Sequence, residues 1–230
     1  MLTAIGTLGA GICVFLVLCA YLLAAALVHE AGHIAAGLLA GFEIFSVRVG
    51  PIKLRLKMTR EWSFSKSLLL GGRVIAQFHK IPGPQAPWQC FAYLAGGSVA
   101  NLCASAVFIP FAFNRTVGGA IAGYFAVVSA YFGTVNLFPF KTKIGHSDGA
   151  KLFWLIFKKR RREALIFRLS LISLLNEVLA LSRNGKFEEA LAKTDDLIRR
   201  SAEIPNSNEG LAVVLSKIRT DLKNARVPDP

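Results

Sequence analysis

Residues 2–35 have the sequence LTAIGTLGAGICVFLVLCAYLLAAALVHEAGHIA, which sets the class of this protein. No side chain from residue 2 to residue 28 is charged, and this run exceeds the roughly 20 apolar residues that cross a bilayer. A signal peptide would carry a basic segment before a short apolar core, whereas no Lys or Arg precedes this long run. The stretch therefore predicts a retained transmembrane helix that ends in two histidines and a glutamate.

Two further uncharged runs, residues 91–113 and 117–138, are also long enough to cross a membrane. The hydrophobic content of 53% is high for a soluble chain, and it comes in blocks instead of a periodic pattern. We therefore expect a polytopic α-helical membrane protein with about three transmembrane helices, a short β-strand insertion and a small cytosolic helical tail. The predicted spans cover about residues 5–33, 91–112 and 118–138.

The net charge of +13 is concentrated in two segments that flank the predicted spans. Eight basic residues lie from Arg48 to Lys80, and fifteen more lie from Lys158 onward. The link between the second and third spans carries only Arg115. Because basic loops stay in the cytoplasm, we expect the N-terminus and Arg115 outside the cell, and the connector and tail in the cytoplasm. The basic excess then faces anionic lipids of the cell membrane, and no nucleic-acid partner is expected.

The connector, residues 41–90, shows the alternating pattern of β-strands. Apolar and polar residues alternate through FEIFSVRV (42–49) and again through IKLRLK (52–57), on either side of a Gly-Pro pair. This pattern predicts two strands joined by a turn, and SLLLGGRVIAQF (67–78) could supply a third strand after its glycine pair. A connector of this length has no room for a further domain of ordinary size.

Residues 158–230 have the patterning of soluble helices and are predicted to form a unit apart from the membrane-embedded core of residues 1–157. Apolar residues recur at helical spacing over 165–178. The sequence RNGKFEEALAKTDDLIRR (183–200) predicts a turn and a second helix, and a third is expected over 208–224. We interpret this tail as a cytosolic appendage that offers a surface to a protein partner.

The chemistry of the first span lies in His29-Glu30-Ala31-Gly32-His33, an H-E-x-x-H sequence. On an α-helix, His29 and His33 are one turn apart on the same face, so both imidazoles can reach one ion. Glu30 points about 100° away, where its carboxylate can take a proton from water and give it to a leaving amine. The alternative is that the helix merely reaches the lipid headgroups here, but ionisable residues inside a span are functional by default.

A catalytic zinc ion takes three protein ligands and leaves one position for water. The sequence offers five candidates for the third ligand, namely His79, His146, Glu43, Glu61 and Asp148. We favour Asp148, because it is the sole acid between Glu61 and Glu163 and lies just beyond the third predicted span. Ser147-Asp148 also precedes an apolar helical stretch, so Asp148 could instead cap a helix, and the two roles can coexist.

Three elements together resemble the site-2 protease family of intramembrane zinc metalloproteases. They are HEAGH inside an apolar span, LAGGSVAN (94–101) in the second span, and the sequence NLFP…DG (136–149) after the third. The resemblance covers about residues 15–157 and implies one zinc ion held by His29, His33 and Asp148. It also implies that Glu30 is the general base and that the amides of Asn101 and Asn136 contact the substrate or its oxyanion.

Two departures from the family pattern concern the third ligand. Ser147 stands where the family usually has Leu. Asn136 and Asp148 are also farther apart than in the family, because KTKIGH (141–146) resembles a small polar insertion. His146, at the end of that insertion, therefore stays a rival third ligand.

The expected function is that of an intramembrane zinc endopeptidase, which cleaves in or next to a transmembrane segment of a membrane-tethered protein or peptide. The alternative is a non-catalytic member of the same fold that binds membrane proteins or acts as an adaptor. Glu30 favours the enzyme, because a protein that only binds has no need of a general base. A helical span hides its own peptide bonds, so we expect the connector strands to hold the substrate extended by strand addition.

Overall fold

The computed structural model describes residues 2–56, 62–64, 72–142, 145–203 and 209–226. These residues form seven helices and six strands, and the chain divides into two compact units, Met1–Ile166 and Phe167–Pro230. Each unit is described by itself below.

Three long apolar helices make up most of the first unit, and they coincide with the three predicted spans. They are α1 (Leu2–Leu39), α2 (Ala86–Ala112) and α3 (Val117–Leu137). Along α1 the side chains of Val14, Phe15 and Leu16 are 69%, 63% and 59% exposed. Large apolar side chains that are this exposed on a continuous helix suit a lipid environment, because water would penalise every one of them.

The three helices approach closely because a glycine lies at each crossing with α2. A Cβ atom on Gly32 of α1 would lie 2.3 Å from the carbonyl oxygen of Gly96 on α2. A Cβ atom on Gly133 of α3 would lie 3.0 Å from the carbonyl oxygen of Ser98. Small residues at crossings are the usual means by which apolar helices pack inside a membrane. The register of α1 against α2 is therefore fixed at the HEAGH turn.

The predicted strands are present in a four-stranded antiparallel sheet with the order β3-β2-β1-β4. Its strands are β1 (Phe42–Val49), β2 (Ile52–Arg55), β3 (Trp62–Phe64) and β4 (Gly72–Phe78). The predicted Gly-Pro turn joins β1 to β2, and Gly50 has a φ of 56°, which favours glycine. The strand after the glycine pair is β4, at one edge of the sheet, whereas β3 has no counterpart in the sequence analysis.

The first unit continues beyond α3 with a short hairpin and a fourth helix. The strands β5 (Lys141–Thr142) and β6 (Gly145–His146) pair antiparallel, and α4 (Asp148–Phe157) follows. Lys141 pairs with His146 and Thr142 pairs with Gly145, so the two ends of the KTKIGH segment lie side by side.

The second unit contains the tail helices. They are the greater part of α5 (Lys159–Arg183), then α6 (Phe187–Ala202) and α7 (Glu209–Arg226). Gly185, with a φ of 71°, makes the turn between α5 and α6. Val178, Leu197 and Leu215 from the three helices are almost completely buried, so the unit has its own small core.

Among the described residues, four helices are long and apolar enough to cross a membrane, whereas the sequence analysis expected three. The additional helix is α5, which the sequence analysis placed in the soluble tail. Residues 164–181 contain just two charged side chains, Arg168 and Glu177, so α5 meets the length and composition of a span. The helical spacing of its apolar residues fits both one face of a soluble helix and a membrane span, so spacing alone does not distinguish the two cases.

Candidate metal centre

His29 and His33 lie on one face of α1 where this helix crosses α2. Both side chains are buried, and their Nε2 atoms are 3.1 Å apart. The crossing brings Gly97 of α2 directly over the two rings. The helical spacing and the small residue opposite it therefore aim both imidazoles at one point.

Asp148 completes the group from the first turn of α4. Its Oδ2 atom lies 3.3 Å from His29 Nε2 and 3.1 Å from His33 Nε2. Among the described residues, these three form the one group of His, Cys, Asp and Glu side chains that could hold a metal ion. Three ligands of a tetrahedral zinc ion, each about 2.0–2.1 Å from it, lie about 3.3 Å from one another. The observed triangle of donor atoms is close to that size, so the residues fit such an ion.

Ser147, and not Asp148, caps α4. The Ser147 hydroxyl accepts a hydrogen bond from the backbone N–H of Ala150 at 3.1 Å. The same oxygen donates to the carbonyl of Phe138 and accepts from the N–H of Phe140, at 2.8 and 3.1 Å. Ser147 therefore ties α4 to the end of α3. This contact holds Asp148 against the histidines and leaves the Asp148 carboxylate free of a capping role.

Gly149, which follows the proposed ligand, is needed for close approach. A Cβ atom at this position would lie 2.1 Å from the carbonyl oxygen of Leu137, at the end of α3. Glycine at position 149 therefore allows the start of α4 to pack directly against the backbone of Leu137. A larger residue would push Asp148 away from the imidazoles.

Glu30 is buried next to the three donor atoms, but its carboxylate is only partly satisfied. Its Oε2 atom has no hydrogen-bond partner among the described residues. The carboxylate lies against β4, because a Cβ atom on Gly72 would be 2.0 Å from Glu30 Oε1. A buried carboxylate oxygen without a partner is costly, and a water molecule between Glu30 and the donor atoms would satisfy it.

The second carboxylate oxygen of Asp148 is held by a lysine. Lys151 Nζ donates to Oδ1 at 2.8 Å, which leaves Oδ2 to face the two imidazoles. Burial acts to raise the pKa of the Asp148 carboxyl, but the neighbouring side chains of His29 and His33 and the charge of Lys151 hold this pKa well below its usual range. Asp148 is therefore ionised in this setting, as a metal ligand must be.

The ring of His33 is oriented by α2. Its Nδ1 atom lies 2.7 Å from the carbonyl oxygen of Tyr93, so Nδ1 carries the proton and Nε2 keeps its lone pair toward the other donor atoms. The Tyr93 hydroxyl in turn donates to the carbonyl of Val74 on β4 at 3.1 Å. Tyr93 therefore links the sheet to the donor group. Nothing in its sequence context signals this role.

A cavity of about 350 Å³ opens beside the three donor atoms. Its wall includes Glu30, Asn136 and the edge strand β4, with basic side chains from Arg48 and Arg73. Asn136 uses its amide nitrogen in a hydrogen bond to the carbonyl of Phe132 at 3.1 Å. Asn101 is fully buried against His29 and does not line this cavity. The two amides implied by the resemblance therefore occupy different surroundings.

The other candidates for the third ligand that the structure describes, His79, Glu43 and His146, lie outside the donor group. His79 Nδ1 is 3.0 Å from Glu43 Oε1, so these two side chains pair with each other. His146 packs its ring on Trp154, with centroids 4.6 Å apart, and lines the cavity without joining the donor group. Glu61 lies outside the described residues.

Gly97 provides a test of the packing that shapes this centre. A Cβ atom there would lie 2.6 Å from His33 Nε2 and 2.7 Å from His29 Nε2. We expect Gly97→Ala to displace the imidazoles and to weaken zinc binding about 5- to 150-fold, the equivalent of about 1–3 kcal/mol of overpacking. Chelator competition on the purified chain measures this affinity. Gly11→Ala is the matched control, because a Cβ atom on Gly11 meets nothing within 4 Å. Equal affinities for the two variants would contradict the prediction.

Comparison with known proteins assigns no family to this centre. The interpretation of the site rests on its donor atoms, its cavity and the buried carboxylate beside them. The chain matches no protein-family model, no curated protein and no solved structure.

Proposed function

We propose that this protein is an intramembrane zinc endopeptidase that cleaves a membrane-tethered protein or peptide in or next to its transmembrane segment. The observation that carries the proposal is the convergence of His29, His33 and Asp148 beside a cavity, with the carboxylate of Glu30 buried next to them. Two imidazoles and one carboxylate are a ligand set of catalytic zinc. The resemblance of HEAGH and the Asp-Gly pair to site-2 proteases supports the same chemistry.

The proposed roles of the chain's residues follow from their positions. When bound, zinc lowers the pKa of a coordinated water to near neutrality and polarises a carbonyl. Glu30 takes the proton of the attacking water on its carboxylate and delivers it to the leaving amine nitrogen. Lys151 donates a hydrogen bond to Asp148 Oδ1, so Oδ2 is left for the zinc ion. Asn136 lies in the cavity wall, where its side chain can contact the scissile carbonyl.

The edge strand β4 gives the substrate a place to lie extended. Gly72, Arg73 and Val74 of this strand line the cavity, and among the described strands β4 has a sheet neighbour on one side only. An extended segment can pair with such an edge through backbone hydrogen bonds. Pairing here would bring a peptide bond next to Glu30, because Gly72 lies against that carboxylate.

The rival function is a non-catalytic module of the same architecture that binds membrane proteins or acts as an adaptor. Such a module would need the cavity and the edge strand, but not the buried carboxylate of Glu30. Among the described residues, Glu30 Oε2 is buried without a hydrogen-bond partner, which costs stability that a binding role would not offset. We therefore favour the enzyme and assign partner binding to the helical tail.

We propose that α5 does not cross the membrane, although its composition would allow this. Glu177, in the middle of its apolar stretch, forms an ion pair with Lys193 of α6, and Arg200 of α6 lies over the ring of Phe167, 4.9 Å from its centroid. The helix α6 therefore runs alongside α5. It carries seven charged side chains, those of Glu188, Glu189, Lys193, Asp195, Asp196, Arg199 and Arg200. These charges would enter the hydrocarbon region together with α5, which is costly.

With α1, α2 and α3 as the spans, the basic connector and tail lie in the cytoplasm and Arg115 lies outside. Labelling with a membrane-impermeant thiol reagent tests this topology, using Arg115→Cys and Thr220→Cys in a chain without its native cysteines. In intact cells we expect position 115 to react and position 220 to react only after the membrane is opened. Reaction from outside at both positions would show that α5 crosses, and reaction at position 220 alone would show that the three-span topology is inverted.

Cleavage of a reconstituted substrate tests the function itself. Liposomes would contain the full chain and a single-span peptide with a helix-weakening Gly-Pro pair in either its cytoplasmic or its outer half. Because HEAGH lies near the cytoplasmic end of α1, we expect cuts in the cytoplasmic half, identified by mass spectrometry of the fragments. Cuts clustered in the outer half would contradict the proposed depth of the site. Intact peptide with zinc-loaded protein would favour the binding module.

A further inference from the structure

The two proposed histidine ligands should each have an acceptor for the ring nitrogen that faces away from the ion. A neutral imidazole that ligates through Nε2 carries its proton on Nδ1, and that N–H almost always donates to a carbonyl, a carboxylate or water. For His33 the acceptor is the backbone carbonyl of Tyr93, 2.7 Å away. For His29, the Nδ2 atom of Asn101 lies 3.4 Å from Nδ1.

Asn101 lies on α2 beside His29. Its side chain is fully buried, and it is not one of the residues that line the cavity. Its Nδ2 atom faces His29 Nδ1, while its Oδ1 atom is buried without a partner among the described residues. With the amide in this orientation, the N–H of Asn101 Nδ2 faces the N–H of His29 Nδ1, and Asn101 Oδ1 receives no hydrogen bond from the described residues.

A half-turn of the amide resolves both conflicts at His29. The oxygen and nitrogen of an Asn side chain occupy nearly equal volumes, so exchanging them leaves the packing unchanged. Oδ1 then faces His29 Nδ1 and accepts its proton. His29 is thereby held in the tautomer that turns the Nε2 lone pair toward His33 Nε2 and Asp148 Oδ2.

We propose that Asn101 is a positioning residue whose amide oxygen accepts the Nδ1 proton of His29, so that α2 orients both histidines of the metal centre. Tyr93 does this for His33 through its backbone, and Asn101 does it for His29 through its side chain. This assignment rests on the proposed metal centre and differs from the contact with substrate or oxyanion that the resemblance implies for Asn101.

Zinc affinity of the detergent-purified full chain, measured by chelator competition, tests the proposal without any substrate. Asn101→Leu keeps the volume of the side chain but offers no acceptor, and we expect it to bind zinc about 10- to 100-fold more weakly than the wild type. If Asn101→Leu does not fold, Asn101→Ala takes its place in the test, and we expect it also to bind zinc more weakly than the wild type. Asn101→Asp restores an acceptor, because a carboxylate can also take the Nδ1 proton, and should bind zinc about as tightly as wild type.

Ser105→Ala is the matched control for loss of a buried polar group on α2. Ser105 lies one turn beyond Asn101, is buried and lines a separate apolar cavity between α2 and α3. This variant should keep wild-type affinity. Wild-type affinity in both Asn101→Leu and Asn101→Ala would overturn the proposal, and so would an Asn101→Asp variant as weak as Asn101→Leu. Absence of zinc binding by the wild type would instead reject the metal centre itself.

Discussion

Replacing Glu30 by glutamine is expected to lower the rate of substrate cleavage about 10²- to 10⁴-fold, the usual contribution of a positioned general base. Glutamine has nearly the same shape, so it fits the space beside Gly72, but its amide cannot take a proton from water. The donor atoms of His29, His33 and Asp148 are unchanged, so zinc content should stay at the wild-type level. Cleavage in liposomes and zinc content of the same preparation measure the two effects together.

Glu43→Gln is the control for this experiment. Glu43 is an acid of the same type in the first unit, but it pairs with His79 outside the donor group. We expect its cleavage rate to equal that of the wild type. Full activity in Glu30→Gln would remove Glu30 from the mechanism, and loss of zinc from that variant would make Glu30 a ligand instead.

Replacing Asp148 by alanine is expected to weaken zinc binding by more than about 100-fold, the upper range for a residue that merely supports a ligand. The substitution removes the oxygen that lies 3.3 and 3.1 Å from the two Nε2 atoms and leaves two ligands where a catalytic site needs three. The helix α4 should survive, because its cap is the hydroxyl of Ser147. Chelator competition gives the affinity, and circular dichroism of the same sample checks the helix content.

His146→Ala provides the comparison, since His146 is the rival ligand that the sequence left open. In the structure its ring packs on Trp154 and lies outside the donor group, so its removal should leave zinc affinity unchanged. The reverse pattern, with zinc lost in His146→Ala and kept in Asp148→Ala, would transfer the ligand role to His146.

The sequence alone predicts the part of the site that lies within a single helix. His29, Glu30 and His33 have a fixed geometry within one turn of α1, so their spacing alone predicts a shared ion and an adjacent carboxylate. Asp148 was predictable for a different reason, because an isolated acid next to apolar spans needs a partner. Both predictions depend on local chemistry and not on how the helices pack.

The supporting contacts could not be predicted, because they depend on the register between helices. The carbonyl of Tyr93 reaches His33, and the amide of Asn101 reaches His29, only because small residues let α1 and α2 cross at the HEAGH turn. The sequence also does not predict the three hydrogen bonds by which Ser147 ties α4 to the end of α3.

The composition of α5 alone does not show whether this helix crosses the membrane. Its apolar residues satisfy both the pattern of a soluble helix and the length of a membrane span. The ion pair of Glu177 with Lys193 is a contact between helices that no property of α5 alone would reveal.

Zinc content of the purified full chain, determined by elemental analysis after free metal is removed, tests the central claim most directly. The geometry of His29, His33 and Asp148 predicts about one zinc ion per wild-type chain and almost none in His33→Ala. A wild-type chain that holds no zinc after exposure to the metal, or a His33→Ala chain that holds as much as the wild type, would contradict the assignment of this centre.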